Sequence, residues 1–79
     1  MLGKRIYNDN VALINTPGAY GKWEGDWYVC TPNGLVGALM KHSVIEHEDG
    51  TITVSPSILT WNHEYRWHGY LEKGVWREC

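Results

Sequence analysis

From Val44 to Cys79 the chain alternates apolar and polar residues in short runs separated by turn-forming residues. Asp49-Gly50 lies between two such runs, which predicts a β-hairpin. A type I′ loop there sets Glu48 opposite Thr51, His47 opposite Ile52, Glu46 opposite Thr53 and Ile45 opposite Val54. Side chains alternate along strands, so Ile45, His47, Ile52 and Val54 are expected on a core face, with Glu46, Glu48, Thr51 and Thr53 facing solvent. Pro56 has no N–H for a ladder, which predicts a strand end or bulge at Ser55-Pro56-Ser57. Further on, Tyr65, Trp67, Gly69 and Leu71 point one way while Arg66, His68 and Tyr70 point the other. Glu72-Lys73-Gly74 reads as a three-residue loop closing a last hairpin, with Gly74 in the left-handed position.

The first half is less regular. Arg5-Ile6-Tyr7 and Val11-Ala12-Leu13-Ile14 read as short strands about an Asn8-Asp9-Asn10 turn. Residues 15–26, rich in glycine, read as a loop that carries Tyr20 and Trp23. Loops of that length in small domains are often functional. Trp27-Tyr28-Val29-Cys30-Thr31 reads as a strand ended by Pro32-Asn33-Gly34. Apolar residues at 35, 36, 39 and 40 then predict one short helix over residues 34–42, with Asn33 as its N-cap. The expected fold is a β-dominated α+β domain of five to seven short strands. It would form a small antiparallel sheet or a partly open barrel with one short helix.

Composition narrows this picture. Seventy-nine residues make a single domain spanning residues 1–79. Five Trp and five Tyr stand in for the absent Phe, and each ring, when buried, removes roughly 150 to 250 Å² from water. A small β-rich chain with unpaired strand edges is expected to form a homo-oligomer. Seven Lys and Arg against nine Asp and Glu give a net charge of −2. The basic residues form no run, so duplex nucleic acid is not an expected partner. No apolar stretch approaches the ~20 residues that span a bilayer. Met1-Leu2-Gly3-Lys4-Arg5 leads into polar residues rather than the apolar segment of a signal peptide. Cys30 and Cys79 fit free thiols of an intracellular protein.

Asp49-Gly50-Thr51-Ile52-Thr53-Val54-Ser55-Pro56-Ser57-Ile58, then Trp67-His68-Gly69-Tyr70-Leu71 and a Gly74-Val75-Trp76 ending, resembles a group of small bacteriophage and prophage proteins. A similar Pro32-Asn33-Gly34-Leu35 element precedes the strands in them. The resemblance covers residues 27–79 and leaves residues 1–26 outside. It implies a phage origin and a place in the cytoplasm of an infected bacterium. No activity in that group carries over to this chain.

Catalytic and metal chemistry find little support in the residues. A Cys-His pair can be drawn between Cys30 and any of His42, His47, His63 or His68, which makes the pairing unspecific. No phosphate loop or nucleophile elbow is present, so a non-enzymatic protein is expected. His63 and His68 lie five apart, with Cys30 and His47 as conceivable companions. Structural zinc sites announce themselves by two close ligand pairs, which are missing, so neither metal nor cofactor is expected.

The aromatic residues remain. About five of the rings are expected in the core, and the rest form a recognition surface beside Arg66, His68, Asn62, Ser55 and Ser57. The candidate ligand-binding residues are Ser55, Ser57, Trp61, Arg66, Trp67 and His68, with Lys22 next in line for a phosphate. Two functions follow, the first preferred because Arg66, His68, Ser55 and Ser57 cluster in sequence near Trp61 and Trp67. One is an oligomer that sequesters a small nucleotide-like ligand against host defence, with rings stacking on bases. The other is a protein-interaction module that inhibits a host protein or serves virion assembly, since Trp, Tyr and Arg are typical hot spots. Rings lining a pocket with a basic residue favour the ligand, and a flat exposed patch favours the protein.

Overall fold

The computed structural model describes residues 1–7 and 15–79, which form nine β-strands in three small sheets. The first sheet holds β1 (Lys4–Ile6), β2 (Ala19–Trp23), β3 (Asp26–Cys30) and β4 (Val36–Ala38) in that order, β1 parallel to β2 and the others antiparallel. The second is the hairpin of β5 (Ser43–Glu46) and β6 (Ile52–Ser55). The third is the antiparallel sheet of β7 (Ile58–Trp61), β8 (Arg66–Glu72) and β9 (Val75–Glu78). The fold is β-dominated, as expected, but with nine strands among the described residues rather than five to seven, and the sheets do not close into a barrel. The expected strand at residues 11–14 lies outside the described residues.

The short helix over residues 34–42 is replaced by β4 and a turn. Nine residues containing Gly37 are too few to hold a helix without tertiary support. The Pro32–Gly34 turn instead folds the chain back onto β3, closed by Gly34 N–H to Thr31 O at 2.7 Å and Thr31 N–H to Leu35 O at 2.8 Å. Val36, Gly37 and Ala38 then pair with Cys30, Val29 and Tyr28. The loop expected over residues 15–26 also contains a strand. Trp23 pairs with Asp26, and Glu24-Gly25 between them both take positive φ, the type I′ geometry that returns β2 alongside β3.

The β5–β6 register differs by one residue from expectation. Glu46 pairs with Ile52, Ile45 with Thr53 and Val44 with Val54. His47 N–H donates to Thr51 O at 2.8 Å and Gly50 N–H to His47 O at 3.0 Å, so the loop is three residues long with Gly50 at φ 87°. A one-residue slip turns every side chain of the strand over. Val44 therefore packs against the core, while Ile45 lies exposed. As expected, β6 ends at Ser55, where the Ser55-Pro56 bond is cis.

Tyr20, Val29, Leu39, Ile52, Val54, Ile58, Trp67, Leu71 and Trp76 form the core, drawn from all three sheets. Trp67 and Trp76 meet edge to face at 5.3 Å, and the Trp76 indole N–H is satisfied by Gly18 O at 2.8 Å. The first residues tie the sheets together. Met1–Gly3 lie along β9 through Trp76 N–H to Met1 O at 2.8 Å and Gly3 N–H to Gly74 O at 2.7 Å, and Lys4 N–H then reaches Gly18 O at 3.0 Å. Cys30 is buried and Cys79 exposed, both as free thiols. Burial pushes the Cys30 thiol pKa above its ordinary value.

Candidate interaction face

Alternation along β8 sends Trp67, Gly69 and Leu71 into the core and Arg66, His68, Tyr70 and Glu72 outwards. Neighbouring strands extend the outward set. Trp61 stands opposite Arg66 and Leu59 opposite His68 on β7, while Arg77 stands opposite Tyr70 and Val75 opposite Glu72 on β9. The result is one uncovered sheet face bearing Leu59, Trp61, Tyr70 and Val75, all exposed, among three basic or potentially basic side chains. Trp61 is 69 % exposed. The Arg77 guanidinium lies 5.6 Å above the Tyr70 ring and also pairs with Glu72.

Four of the six candidate residues meet on this face or at its margin. Trp61 and Arg66 are cross-strand partners, and Ser57 Oγ lies 2.8 Å from His68 Nε2. The Ser57 carbonyl lies 3.1 Å from His42 Nε2. Ser55 is exposed at the end of β6, on another sheet. Trp67 is the correction: it is 4 % exposed and packed on Trp76, so its ring belongs to the core and has no free surface on which to stack a base. Asn62 is occupied with its own loop, its Oδ1 accepting the N–H groups of Glu64 at 2.9 Å and Tyr65 at 2.7 Å. Lys22 lies on the first sheet, its Nζ 5.7 Å from the Trp27 ring centre.

Tyr70 and Arg77 complete the face and were not among the expected residues. The signal was present for Tyr70, since it shares the outward side of β8 with Arg66 and His68. Arg77 required the register of β9.

Three concavities touch this face: two of about 250 Å³ and an open one of about 220 Å³ beside Glu72, Val75 and Arg77. One of the larger two, at the hairpin tip, is bounded by Trp61–Arg66 alone. A ligand there has a single loop for a wall, far from the enclosure that small-molecule sites provide. The other lies between β4 and β7. His47 Nε2 is engaged with Thr53 Oγ1 at 2.7 Å, and among the described residues no three of His, Cys, Asp and Glu gather as metal ligands. No helix among the described residues is long and apolar enough to cross a membrane. Compared with known protein families, curated proteins and solved structures, the chain matches none.

Proposed function

We propose that this chain is a non-enzymatic protein-interaction module of the phage kind. It acts in the host bacterial cytoplasm and engages a host protein or a virion component through the outer face of β7, β8 and β9. The observation that carries this reading is the outer face of β7–β9, on which the exposed Leu59, Trp61, Tyr70 and Val75 lie among Arg66, His68 and Arg77. Aromatic and arginine side chains on an open apolar surface are the composition of a protein interface core. A nucleotide-like ligand is less well served, because Trp67 lies in the core and the concavity that Trp61, Tyr65 and Arg66 do line has a single loop for its wall. The same face would support self-association, visible in light scattering as a mass above that of one chain.

The test pairs capture of a host partner with reconstitution. The partner is purified and its affinity measured for the parent and for Arg66→Glu and Tyr70→Glu. Each substitution is expected to weaken binding at least about tenfold, the size of a modest hot spot. A thermal shift with cyclic nucleotides or dinucleotides that Arg66→Ala abolishes would overturn this reading in favour of ligand sequestration.

A further inference from the structure

The chain has three arginines, and two of them are occupied within it. Arg5 pairs with Glu46 and lies over the Tyr7 and Trp27 rings, and Arg77 pairs with Glu72 and lies over Tyr70. Arg66 has neither an ion pair nor a ring beneath it among the described residues. Yet Glu64 stands two positions before it, and Glu72 shares its side of β8. Its cross-strand partner on the outer face is Trp61, the most exposed ring among the described residues.

A protein that covers this face takes water away from Arg66. A charge buried without a counter-charge is costly, and for that reason the centre of an interface holds few unpaired charges. The occupant therefore has to bring the anion. The face as a whole asks for the same sign, since Arg66, Arg77 and His68 stand against Glu72 on a chain of net charge −2. A second copy set face to face brings the same excess of arginine over glutamate, so it adds cation where anion is wanted. A single-stranded nucleic acid carries an anion at every nucleotide, whereas Arg66 is the one arginine free to meet it among the described residues and the net negative chain repels it. A carboxylate with an apolar neighbour fits best, because cross-strand partners such as Arg66 and Trp61 have Cβ atoms about 5 Å apart.

We propose that the partner docks on the outer face of β7–β9 with an acidic surface, one Asp or Glu side chain pairing with Arg66 while an apolar neighbour covers Trp61. The proposal rests on the protein-binding reading above and gives the partner's chemistry. An arginine with no partner in its own chain has its planar fork free for a bidentate bond, two parallel N–H···O contacts to one carboxylate. Arg66 thereby sets the sign of the partner. Leu59 and Tyr70 supply contact area that a partner of either sign could use.

The experiment titrates the whole chain with two acetylated, amidated hexapeptides, one of alternating glutamate and leucine and one of alternating lysine and leucine, followed by nuclear magnetic resonance. The glutamate peptide is expected to shift the Trp61 indole and Arg66 guanidinium signals. It should bind at least about threefold more tightly than the lysine peptide and lose that advantage at high salt. Arg66→Ala should weaken the glutamate peptide about threefold to tenfold, and Arg66→Glu should make the lysine peptide the tighter of the two. Arg66 is exposed, so both variants should melt as the parent does.

Equal binding of the two peptides, binding of neither, or an Arg66→Glu variant that keeps the parent's preference overturns the proposal. So does a single-stranded thymidine hexanucleotide that shifts the same signals where the glutamate peptide does not, which would make this a nucleic-acid face. Trp61 and Arg66 signals that move with protein concentration alone would assign the face to a second copy and overturn it as well. A purified partner separates this proposal from the outer-face reading. If Tyr70→Glu abolishes its binding while Arg66→Ala and salt leave it unchanged, the acidic partner alone fails. If Tyr70→Glu and Arg66→Glu both bind it as the parent does, the outer-face reading fails and this proposal with it.

Discussion

Asp49 is exposed, yet its Oδ1 accepts both the Thr51 N–H at 3.0 Å and the Thr51 hydroxyl at 2.6 Å. These bonds, the hydroxyl's first, hold its pKa below the ordinary aspartate value. A carboxyl whose pKa is lower folded than unfolded stabilises the fold above its unfolded pKa, and that contribution is lost as pH falls through the folded value. Asp49→Asn keeps the shape and removes the charge. Its melting temperature is expected to lie below the parent's near neutral pH, with the gap closing on acidification through the carboxylate range. A gap that widens in acid would contradict this account. The two tryptophans of the candidate set offer a second contrast. Trp67→Ala empties a core position and is expected to cost roughly 3 to 5 kcal/mol in urea unfolding. Trp61→Ala removes an exposed ring and should stay within about 0.5 kcal/mol. At this scale the candidate face was largely legible, because the alternation along Arg66–Leu71 separates outward from inward side chains. Trp67 entered the candidate set by residue type, although its position in that alternation assigns it to the core.

Turn chemistry explains most of what changed among the elements. Asp49-Gly50 was expected to make the two-residue loop and Glu72-Lys73-Gly74 the three-residue one, and the structure exchanges them. Glu72 pairs with Val75, and Lys73 and Gly74 take φ 47° and 76°, a two-residue type I′ loop. The sequence signal for type I′ is strongest for Asn-Gly and Asp-Gly, but packing decides here. Gly74 N–H donates to Ile52 O at 3.0 Å and Lys73 N–H to Thr53 Oγ1 at 3.0 Å, so the tight loop docks on β6. At Gly74 an added Cβ would lie 2.7 Å from the Tyr20 hydroxyl and 2.9 Å from the Thr51 methyl, on a backbone that already disfavours it. Gly74→Ala is therefore expected to lose about 1 to 3 kcal/mol. Lys73→Asn places a residue that accepts positive φ and should gain up to about 0.5 kcal/mol. Chemical unfolding of the two variants checks both signs, and a gain for Gly74→Ala would show that the loop is not under the constraint described. Strand β2 and the loss of the helix had no local signal of comparable strength. Glu24-Gly25 is a weak hairpin dipeptide, and the spacing of residues 35–40 fits a helix until β3 is there to pair with.

Across the whole molecule, Arg5 links elements that no strand pairing joins. It lies on β1, and its Nη1 donates to Glu46 Oε2 on β5 at 2.8 Å and to Gly50 O in the β5–β6 loop at 2.7 Å. Its guanidinium also sits 4.4 Å from the Tyr7 ring centre and 4.9 Å from that of Trp27 on β3. Arg5 thus ties the first sheet to the β5–β6 hairpin with a side chain only 14 % exposed. Nothing in the sequence pointed to this role, because the contacts join residues about forty positions apart and depend on how the sheets stack. The carboxylate is the smaller part of the arrangement. Glu46 is about half exposed, and a pair with one solvated partner contributes at most ~1 kcal/mol. The carbonyl bond, the rings and the buried stem account for the rest. Three substitutions should therefore rank in order. Arg5→Ala is expected to cost about 2 to 4 kcal/mol, since it leaves the Gly50 carbonyl unpaired and empties the space between two rings. Arg5→Lys should fall between, because an ammonium keeps the charge but lacks the planar fork that lies on both rings. Glu46→Ala should cost less than about 1 kcal/mol. Urea midpoints at two salt concentrations would read the order and its cause. High salt should shrink the Glu46 effect and leave most of the Arg5→Ala loss, since screening acts on the exposed ion pair and hardly on the stacked, half-buried contacts. Equal losses for Arg5→Ala and Glu46→Ala would mean that the ion pair alone joins the hairpin to the first sheet.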